Sequence, residues 1–180
     1  MRALVIVLAL IVGACSRESS VMDEIARVER RNAETAARNQ ADAARFMEQQ
    51  RARTGVETRA SGLAYETTRR APDPALPSPP RDGQVLVEYE GRLADGTVFD
   101  SSAAHGGPAQ FGVSEVVPGF SEMLQLMRPG QEVIAYMPPE LAYGARGSPP
   151  AIPPNAALAF RIRLLAFARA DGRTVAAPQR

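Results

Sequence analysis

Lysine is absent from the 180-residue chain, and cysteine and histidine occur once each, as Cys15 and His105. A single cysteine excludes a disulfide within the chain. One cysteine and one histidine also cannot supply a conventional zinc site or a Cys/His nucleophilic pair in the core. We therefore expect no metal and no cofactor, because the common metal-assisted and covalent forms of catalysis lack their residues.

An excess of charge of one sign is also missing, because 21 basic residues, all of them arginine, face 20 acidic residues. A net charge of +1 provides no basic field for gripping phosphates, which argues against a nucleic-acid partner. The length suits one domain with appendages. Proline, in contrast, is abundant at 15 residues, well above the roughly 5% of average usage.

Residues 1–14 combine a positive charge at Arg2 with an uninterrupted apolar run from Ala3 to Ala14. The run is shorter than the about 20 residues that a spanning helix needs, so it predicts a signal peptide. A buried amino-terminal helix is the alternative, although the run shows no amphipathic pattern.

Cys15 ends a segment, Val12–Cys15, that resembles a bacterial lipobox, in which cleavage before the cysteine leaves its thiol to carry a lipid. Residues 15–20 would then form a lipid-anchored tether, with plain secretory cleavage as the alternative. We expect the protein on the periplasmic side of the cell envelope. Ser16 is not acidic, which by resemblance to bacterial sorting patterns favours the outer membrane.

Residues 21–60 are predicted to form a helical arm or spacer. Val21 to Arg53 contains no glycine or proline and is rich in alanine, glutamate, glutamine and arginine, which favour helix. Large apolar residues are too few for a coiled-coil seam, and opposite charges such as Glu24 and Arg27 support a solvated helix. We expect a solvated spacer that lifts the domain off a membrane; the alternative is an arm that forms a homodimer.

Ala71–Pro80 holds five prolines in ten positions, which fixes extended geometry and forbids a helix or a central strand. This composition predicts a stiff connection or surface loop. Just before it, Gly62–Glu66 alternates apolar and polar residues, which predicts an edge strand of the domain that follows.

Alternating and helical spacings then follow one another through the main domain. Val85–Glu90 predicts a strand, and Ala94–Thr97 contains an Asp-Gly hairpin turn before the strand resumes at Val98. Val133–Met137 predicts another strand, and Leu158–Leu164 alternates as a half-buried strand does. A short helix with one buried face is predicted by the spacing of Phe120, Met123, Leu124 and Met127.

One helix and several hairpin-linked strands predict an antiparallel α+β domain. A proline-rich loop, Ser148–Pro154, is too constrained for a floppy connector and suggests the rim of a site. Eight of the ten aromatic residues fall in this domain, which is compatible with a small ring-lined pocket. The alternative, that rings fill the core, is favoured for Phe111, Tyr136 and Phe167 taken singly.

Four segments in matching order and spacing resemble the FKBP-type peptidyl-prolyl isomerases: Val87–Gly91, Asp95–Ser102, Val116–Phe120, and Ala142–Gly144 with Ile152–Ala156. The resemblance covers residues 61–168. It implies an FKBP-like fold, in which an antiparallel sheet wraps around one short helix, and it leaves residues 169–180 as a flexible tail.

The resemblance also implies a site, because each of its residues stands where the family pattern has a pocket residue. The implied catalytic residues are Tyr143, Asp100, Tyr89, Phe99 and Phe160, and the implied substrate-binding residues are Phe111, Val116, Val117, Phe120 and Ile152. Two positions depart from the family: Phe120 replaces the usual tryptophan of the pocket floor, and Ala109 stands where phenylalanine is frequent. These changes should preserve activity and weaken the binding of a macrolide ligand.

The function that the resemblance implies is isomerisation of X-Pro peptide bonds in folding envelope proteins, without covalent chemistry. The rival is a proline-directed chaperone or binding module with little turnover. A carboxylate hydrolase using Asp95 and Asp100 is disfavoured, because no second acid has a suitable setting. Structural alternatives remain: Asp100 as a turn cap, Tyr143 as a buried core hydroxyl, and His105 as a solvated loop residue.

Overall fold

The structure, a computed structural model, describes residues 12–178. Most of the predicted signal peptide, residues 1–14, therefore lies outside the described residues. The first helix, α1, spans Val12–Arg51 and so includes residues 15–20, for which the sequence predicts a tether. Among the described residues no helix is both long and apolar enough to cross a bilayer.

The chain divides into two compact units, residues 1–38 and residues 39–180. In the first unit, the apolar side chains of Val21, Met22, Ile25 and Val28 are exposed. Glu24 and Arg27 pair at 3.6 Å, as the sequence predicts. This part of α1 matches the expected solvated helix.

The second unit begins with the carboxyl-terminal part of α1, which is not solvated. Ala43 and Met47 are buried, and with Ala64, Tyr136 and Ala157 they form a separate apolar cluster, which we call the outer core. The prediction of a solvated spacer is wrong at this end of the helix. The physical reason is that residues four apart lie on one helix face, and here that face is apolar.

Eight antiparallel strands form one sheet in the order β1-β2-β6-β7-β3-β4, while β5 pairs with β3 and β8 pairs with β7. The sheet and its second helix, α2, confirm the α+β class and the FKBP-like architecture. Their bounds are β1 Val56–Thr58, β2 Ala64–Arg69, β3 Gln84–Leu93, β4 Val98–Ser101, β5 Ala109–Gly112, α2 Pro118–Leu126, β6 Glu132–Met137, β7 Leu158–Ala168 and β8 Thr174–Ala176.

Two strands differ from the sequence-based expectations. β2 is not at the edge, because β1 pairs with its outer side and β6 with its inner side. β8 lies in the segment predicted as a flexible tail. A tight turn containing Gly172 at φ 80° returns the chain there, so that Thr174–Ala176 pairs with the end of β7.

The main core lies between α2 and the inner face of the sheet. Phe120, Met123, Leu124 and Met127 are all buried, which confirms the predicted helix face. Every second residue of β7, from Leu158 to Leu164, is buried against the same core. The predicted alternation of this strand is therefore confirmed.

The outer face of the sheet is closed by a polar network beside the outer core. Arg53 donates to the Tyr136 hydroxyl and pairs with Glu66 at 3.1 Å. The Tyr136 hydroxyl donates in turn to Glu66 Oε1 at 2.9 Å. The Phe46 ring lies edge-on to the Tyr136 ring, with the centroids 6.0 Å apart. The end of α1 is thus fixed to β2 and β6.

Replacing Met47 with alanine should destabilise the folded chain by about 2–5 kcal/mol, because it removes a buried side chain and leaves a cavity under α1. Urea unfolding measures the change. Glu48→Ala, at the exposed neighbouring position, is the matched control and should change stability by no more than about 0.5 kcal/mol. Equal stability of the two variants would contradict the outer core.

Candidate functional site

The candidate site forms where β3, β4 and β7 bring their inward rings together. Gly91 in β3 is essential to this arrangement, because a Cβ atom there would lie 2.5 Å from Phe99 Cζ and 2.8 Å from Phe160 Cε1. Both distances are far below van der Waals contact. A residue without a side chain at this position therefore lets the two rings lie across the strand.

Five aromatic rings form a continuous cluster. Phe99 and Phe120 each lie edge-on to Phe160, with centroid distances of 5.5 and 5.3 Å. Tyr89 contacts Phe111 at 5.7 Å and Phe120 at 6.2 Å. Edge-to-face pairs of this kind are favourable beyond the area that they bury. The structure thus brings together all five rings that the sequence assigns to the site.

Exposure rises from the centre of this cluster to its edge. Phe120 is 4% exposed, whereas Tyr143 is 39% exposed. The rings between them, Tyr89, Phe99 and Phe111, are half-buried. The cluster is therefore a ring-walled surface with a buried floor, and Tyr143 is not the buried core hydroxyl that was the alternative for this residue.

A charged hydrogen bond joins one wall of the site to β4. The Tyr89 hydroxyl donates to Asp100 Oδ2 at 2.7 Å. Burial, followed by this hydrogen bond to a carboxylate, raises the pKa of Tyr89 well above its usual value. Burial alone would raise the pKa of Asp100, but hydrogen bonds from Tyr89 and His105 hold it below its usual value. Tyr89 thus stays a neutral donor and Asp100 an ionised acceptor.

Ser102 supports Tyr89 from behind. Its buried hydroxyl accepts from the Tyr89 backbone N–H at 3.1 Å and lies 3.4 Å from the Tyr89 carbonyl, to which it donates. A backbone N–H inside a sheet is costly to leave unpaired. Ser102 therefore supplies a partner that the sheet itself does not provide at this point.

The start of α2 contributes the next part of the site. Val116 and Val117 are half-buried and pack against the main core. Val117 precedes Pro118, the first residue of the helix, so its amide lies at an end where backbone donors lack intrahelical acceptors. Within residues 12–178, the Val117 N–H has no hydrogen-bond acceptor.

The proline-rich loop is rigid, as its composition predicts. Ser148 and Ile152 exchange two backbone hydrogen bonds of 2.8 and 2.9 Å, and the Ile152 side chain is buried. The Asn155 N–H donates to the Gly144 carbonyl at 2.9 Å, next to Tyr143. From the other side, the Asn39 side chain of α1 donates to the Pro154 carbonyl at 2.8 Å. The loop is therefore held at both ends.

Asp95 lies in the β3–β4 turn, where its carboxylate accepts from the Thr97 N–H at 2.9 Å. This bond and its companion from the Thr97 side chain lower the pKa of Asp95, as expected for a turn residue. In the part of the chain that the structure describes, no three His, Cys, Asp or Glu side chains are placed to hold a metal ion.

Comparison with known proteins agrees with this architecture. The family model described as "FKBP-type peptidyl-prolyl cis-trans isomerase" matches residues 77–165, and the one for the domain amino-terminal to it matches residues 16–67. The crystal structure of FkpA from Escherichia coli superposes with a TM-score of 0.75 at 32% identity, covering 92% of this chain and 74% of that one. The chain belongs to the FKBP-type peptidyl-prolyl cis-trans isomerase family.

Two curated FKBP-type relatives extend the comparison. A probable FkpA of Neisseria meningitidis serogroup B is 47% identical over 120 residues, which is 67% of this chain and 43% of the relative. The "Outer membrane protein MIP" of Legionella longbeachae is 39% identical over 132 residues, or 73% of this chain and 55% of the relative. The chain thus spans about half the length of these relatives.

Three residues of this FKBP-type site were not predicted from the sequence as contributors to it: Ser102, His105 and Asn39. His105 Nε2 lies 2.9 Å from Asp100 Oδ1, although its imidazole is largely exposed. A signal for this contact does exist, because Ser101 is a helix-capping residue type and Gly106 a helix-ending one. They delimit one turn between Asp100 and His105. Nothing local marks Ser102 or Asn39, whose partners are distant in sequence.

Replacing Tyr89 with phenylalanine should raise the pKa of Asp100 toward its ordinary value, because the carboxylate loses a donor that favours its ionised form. Since the folded-state pKa is depressed, ionised Asp100 stabilises the fold above about pH 4, and this contribution is lost as the pH falls through the folded-state pKa. In Tyr89→Phe the contribution should be smaller. Carbon-13 NMR of the carboxyl group measures the shift.

Tyr143→Phe is the matched control for that measurement, because it removes a hydroxyl of the same site that makes no hydrogen bond to Asp100. Its Asp100 should titrate as in the original chain. An unchanged pKa of Asp100 in Tyr89→Phe would contradict the hydrogen-bonded pair.

Proposed function

We propose that this protein catalyses cis-trans isomerisation of X-Pro peptide bonds in exported proteins as they fold. The observation that carries the proposal is the five-ring cluster with its Tyr89–Asp100 hydrogen bond, because it offers an apolar seat for a proline ring beside fixed polar groups. Membership of the FKBP-type family supports the same activity. No cofactor is part of the proposal.

The reaction needs no nucleophile or metal. Rotation about an X-Pro bond meets a barrier of about 18–20 kcal/mol, because resonance gives the C–N bond double-bond character. An apolar surface disfavours the charge-separated resonance form and so weakens that double bond. Any contact that is stronger in the twisted state than in the planar state lowers the barrier further.

The residues of the site divide into two roles. Phe120 and Phe160 form the floor on which the proline ring packs, with Phe111, Val116 and Ile152 around it. We assign the Val117 N–H and the Tyr143 hydroxyl to the substrate carbonyls, because the first has no acceptor within residues 12–178 and the second is exposed. Tyr89, Phe99 and Asp100 line the path of the rotating carbonyl.

The two departures from the family pattern bear on ligand choice. Phe120 provides a smaller flat floor than tryptophan, and Ala109, half-buried in β5, lowers one wall. Both changes reduce the apolar area that a large macrolide ring can bury, and affinity falls with that area. We therefore propose a wide tolerance for the residue before proline and weak macrolide binding.

A second candidate is a proline-directed binding module with little turnover. It is favoured by the nearly complete burial of Phe120 and Phe160, because a closed floor offers a bound proline a shallow seat. The two functions share the same residues, and only the rate of isomerisation separates them.

We further propose that the protein is lipid-anchored through Cys15 on the periplasmic side of the envelope. The lipobox-like sequence Val12–Cys15 supports this, and one relative carries the name "Outer membrane protein MIP". The exposed apolar residues of α1, from Val21 to Val28, support the alternative role of the arm in a homodimer. Sedimentation of the chain with and without these residues distinguishes the two roles of the arm.

The chain should accelerate isomerisation of an X-Pro peptide in a protease-coupled assay. Tyr143→Phe should lower kcat/KM by about two- to tenfold, because it removes one net hydrogen bond of roughly 0.5–1.5 kcal/mol. Tyr65→Phe is the matched control: it deletes a hydroxyl in β2 that bonds Glu57 instead, and kcat/KM should not change. A rate no better than the uncatalysed one in the unaltered chain would refute the isomerase.

A double variant, Tyr143→Phe with Asp100→Ala, separates the enzyme from the binding module. If it loses isomerase activity but still supports folding of envelope proteins in cells, the binding module is favoured. Loss of both activities together supports the isomerase.

Cys15→Ser should remove the protein from the membrane fraction of a bacterial host, because a serine hydroxyl cannot form the thioether that carries the lipid. Incorporation of radiolabelled palmitate measures the modification, and a density gradient identifies the membrane. Ser16→Ala is the control and should be lipidated normally. Equal labelling of the Cys15→Ser chain would contradict the anchor.

A further inference from the structure

The loop after β4 makes one turn that brings its last residue back to the site. Residues Ser102–His105 form a 3-10 helix, with the Ser101 hydroxyl accepting from the Ala104 N–H at 3.2 Å at its start. Gly106, at φ 91°, ends the turn in the left-handed conformation. This geometry places His105 Nε2 at 2.9 Å from Asp100 Oδ1.

The two oxygens of Asp100 are therefore divided between two partners. Oδ2 accepts from the Tyr89 hydroxyl at 2.7 Å, and Oδ1 contacts the His105 imidazole. A carboxylate held at both oxygens cannot turn freely about its Cβ–Cγ bond. Charge-assisted hydrogen bonds are stronger than neutral ones, so this restraint is firmest when the imidazole is protonated.

We propose that His105 is a positioning residue whose protonated imidazole fixes the Asp100 carboxylate and, through it, the Tyr89 ring in the wall of the site. The proposal rests on the isomerase function proposed above. It predicts that the rate on an X-Pro peptide falls as the pH rises from 5 to 8, because the imidazole loses its charge in that range and the restraint on Asp100 weakens.

Other groups near His105 do not titrate in the same range. Asp100 of β4 contacts the imidazole, Tyr89 of β3 lies behind Asp100, and Tyr143 interacts electrostatically with Tyr89. Carboxyl groups ordinarily titrate near pH 4 and phenols near pH 10. The site lowers the pKa of Asp100 and raises that of Tyr89, which moves both further from neutrality. A step between pH 5 and 8 therefore points to the single histidine of the chain.

The size of the effect is limited by solvent. The side chains of His105 and Asp100 are 67% and 38% exposed, so water and salt screen their attraction. We expect kcat/KM to fall by about two- to fivefold between pH 5 and pH 8 in low salt, and by less in high salt.

The test measures kcat/KM against pH for the full chain, His105→Arg and His105→Ala. A fluorescence-quenched X-Pro peptide replaces the coupled protease, whose own rate varies with pH, and the uncatalysed rate is subtracted at each point. The original chain should show the step. His105→Arg should be level near the acidic value, because a guanidinium stays charged, and His105→Ala should be level near the alkaline value. A level profile in the original chain, or an unchanged step in His105→Arg, would overturn the proposal.

A double variant, His105→Arg with Arg146→His, moves the histidine to another exposed loop position, next to Tyr143 in the fold but without contact to Asp100. Its profile should stay level. A restored step would overturn the proposal, since any nearby histidine would then suffice.

Carbon-13 NMR of Asp100 separates failure of the proposal from failure of the isomerase function. If the chain isomerises no peptide at any pH, the enzyme is refuted, but the contact is still tested by the spectrum. His105→Ala should raise the pKa of Asp100 and shift the Tyr89 ring signals, whereas His105→Arg should leave both close to their original values. An unchanged Asp100 in His105→Ala overturns the positioning role.

Discussion

Side chains alternate across β3, β6 and β7, and this pleat gives the central strands two faces that must both be covered. On the inner face, Val87, Val133 and Ile162 pack around α2. On the outer face, Tyr136 packs beneath the end of α1. An antiparallel sheet can leave one face to water when that face is polar, but here part of it is apolar. The helix end that covers this part is therefore a component of the domain.

The site depends on the same pleat. β3 and β7 point Tyr89 and Phe160 inward at positions where α2 no longer fills the space alone, and Gly91 removes the side chain that would separate the rings. Polar groups are then attached from outside the ring cluster. Asp100 is ionised because Tyr89 and His105 satisfy its oxygens, so that a charge is held next to an apolar surface without being buried in it.

Local patterns were sufficient to predict the elements whose partners are close in sequence. The Asp-Gly turn at residues 95–96 and the buried face of α2 were predicted correctly, because turn chemistry and helical spacing are properties of a few consecutive residues. The five rings of the site were identified only through the family resemblance. Periodicity places each ring on a strand face but cannot say which faces meet.

Contacts between distant segments could not be predicted. The outer core joins Met47 to Tyr136, and nothing near either residue distinguishes this pair from two exposed amphipathic positions. The same holds for Asn39, whose side chain reaches Pro154, and for β8, which is a strand only because β7 offers it an edge. Long-range pairing decides these features, and a single sequence carries little information about it.

Ala159 and Phe160 are neighbours in β7, yet one packs beneath α1 and the other belongs to the ring cluster. Over evolutionary time, two adjacent codons therefore answer to unrelated pressures. A lineage can retune what the rings accept while the surface under the helix stays constant. A lineage that sheds the helix faces a harder path, since every second position along β6 and β7 must turn polar in concert before the shortened domain stays soluble.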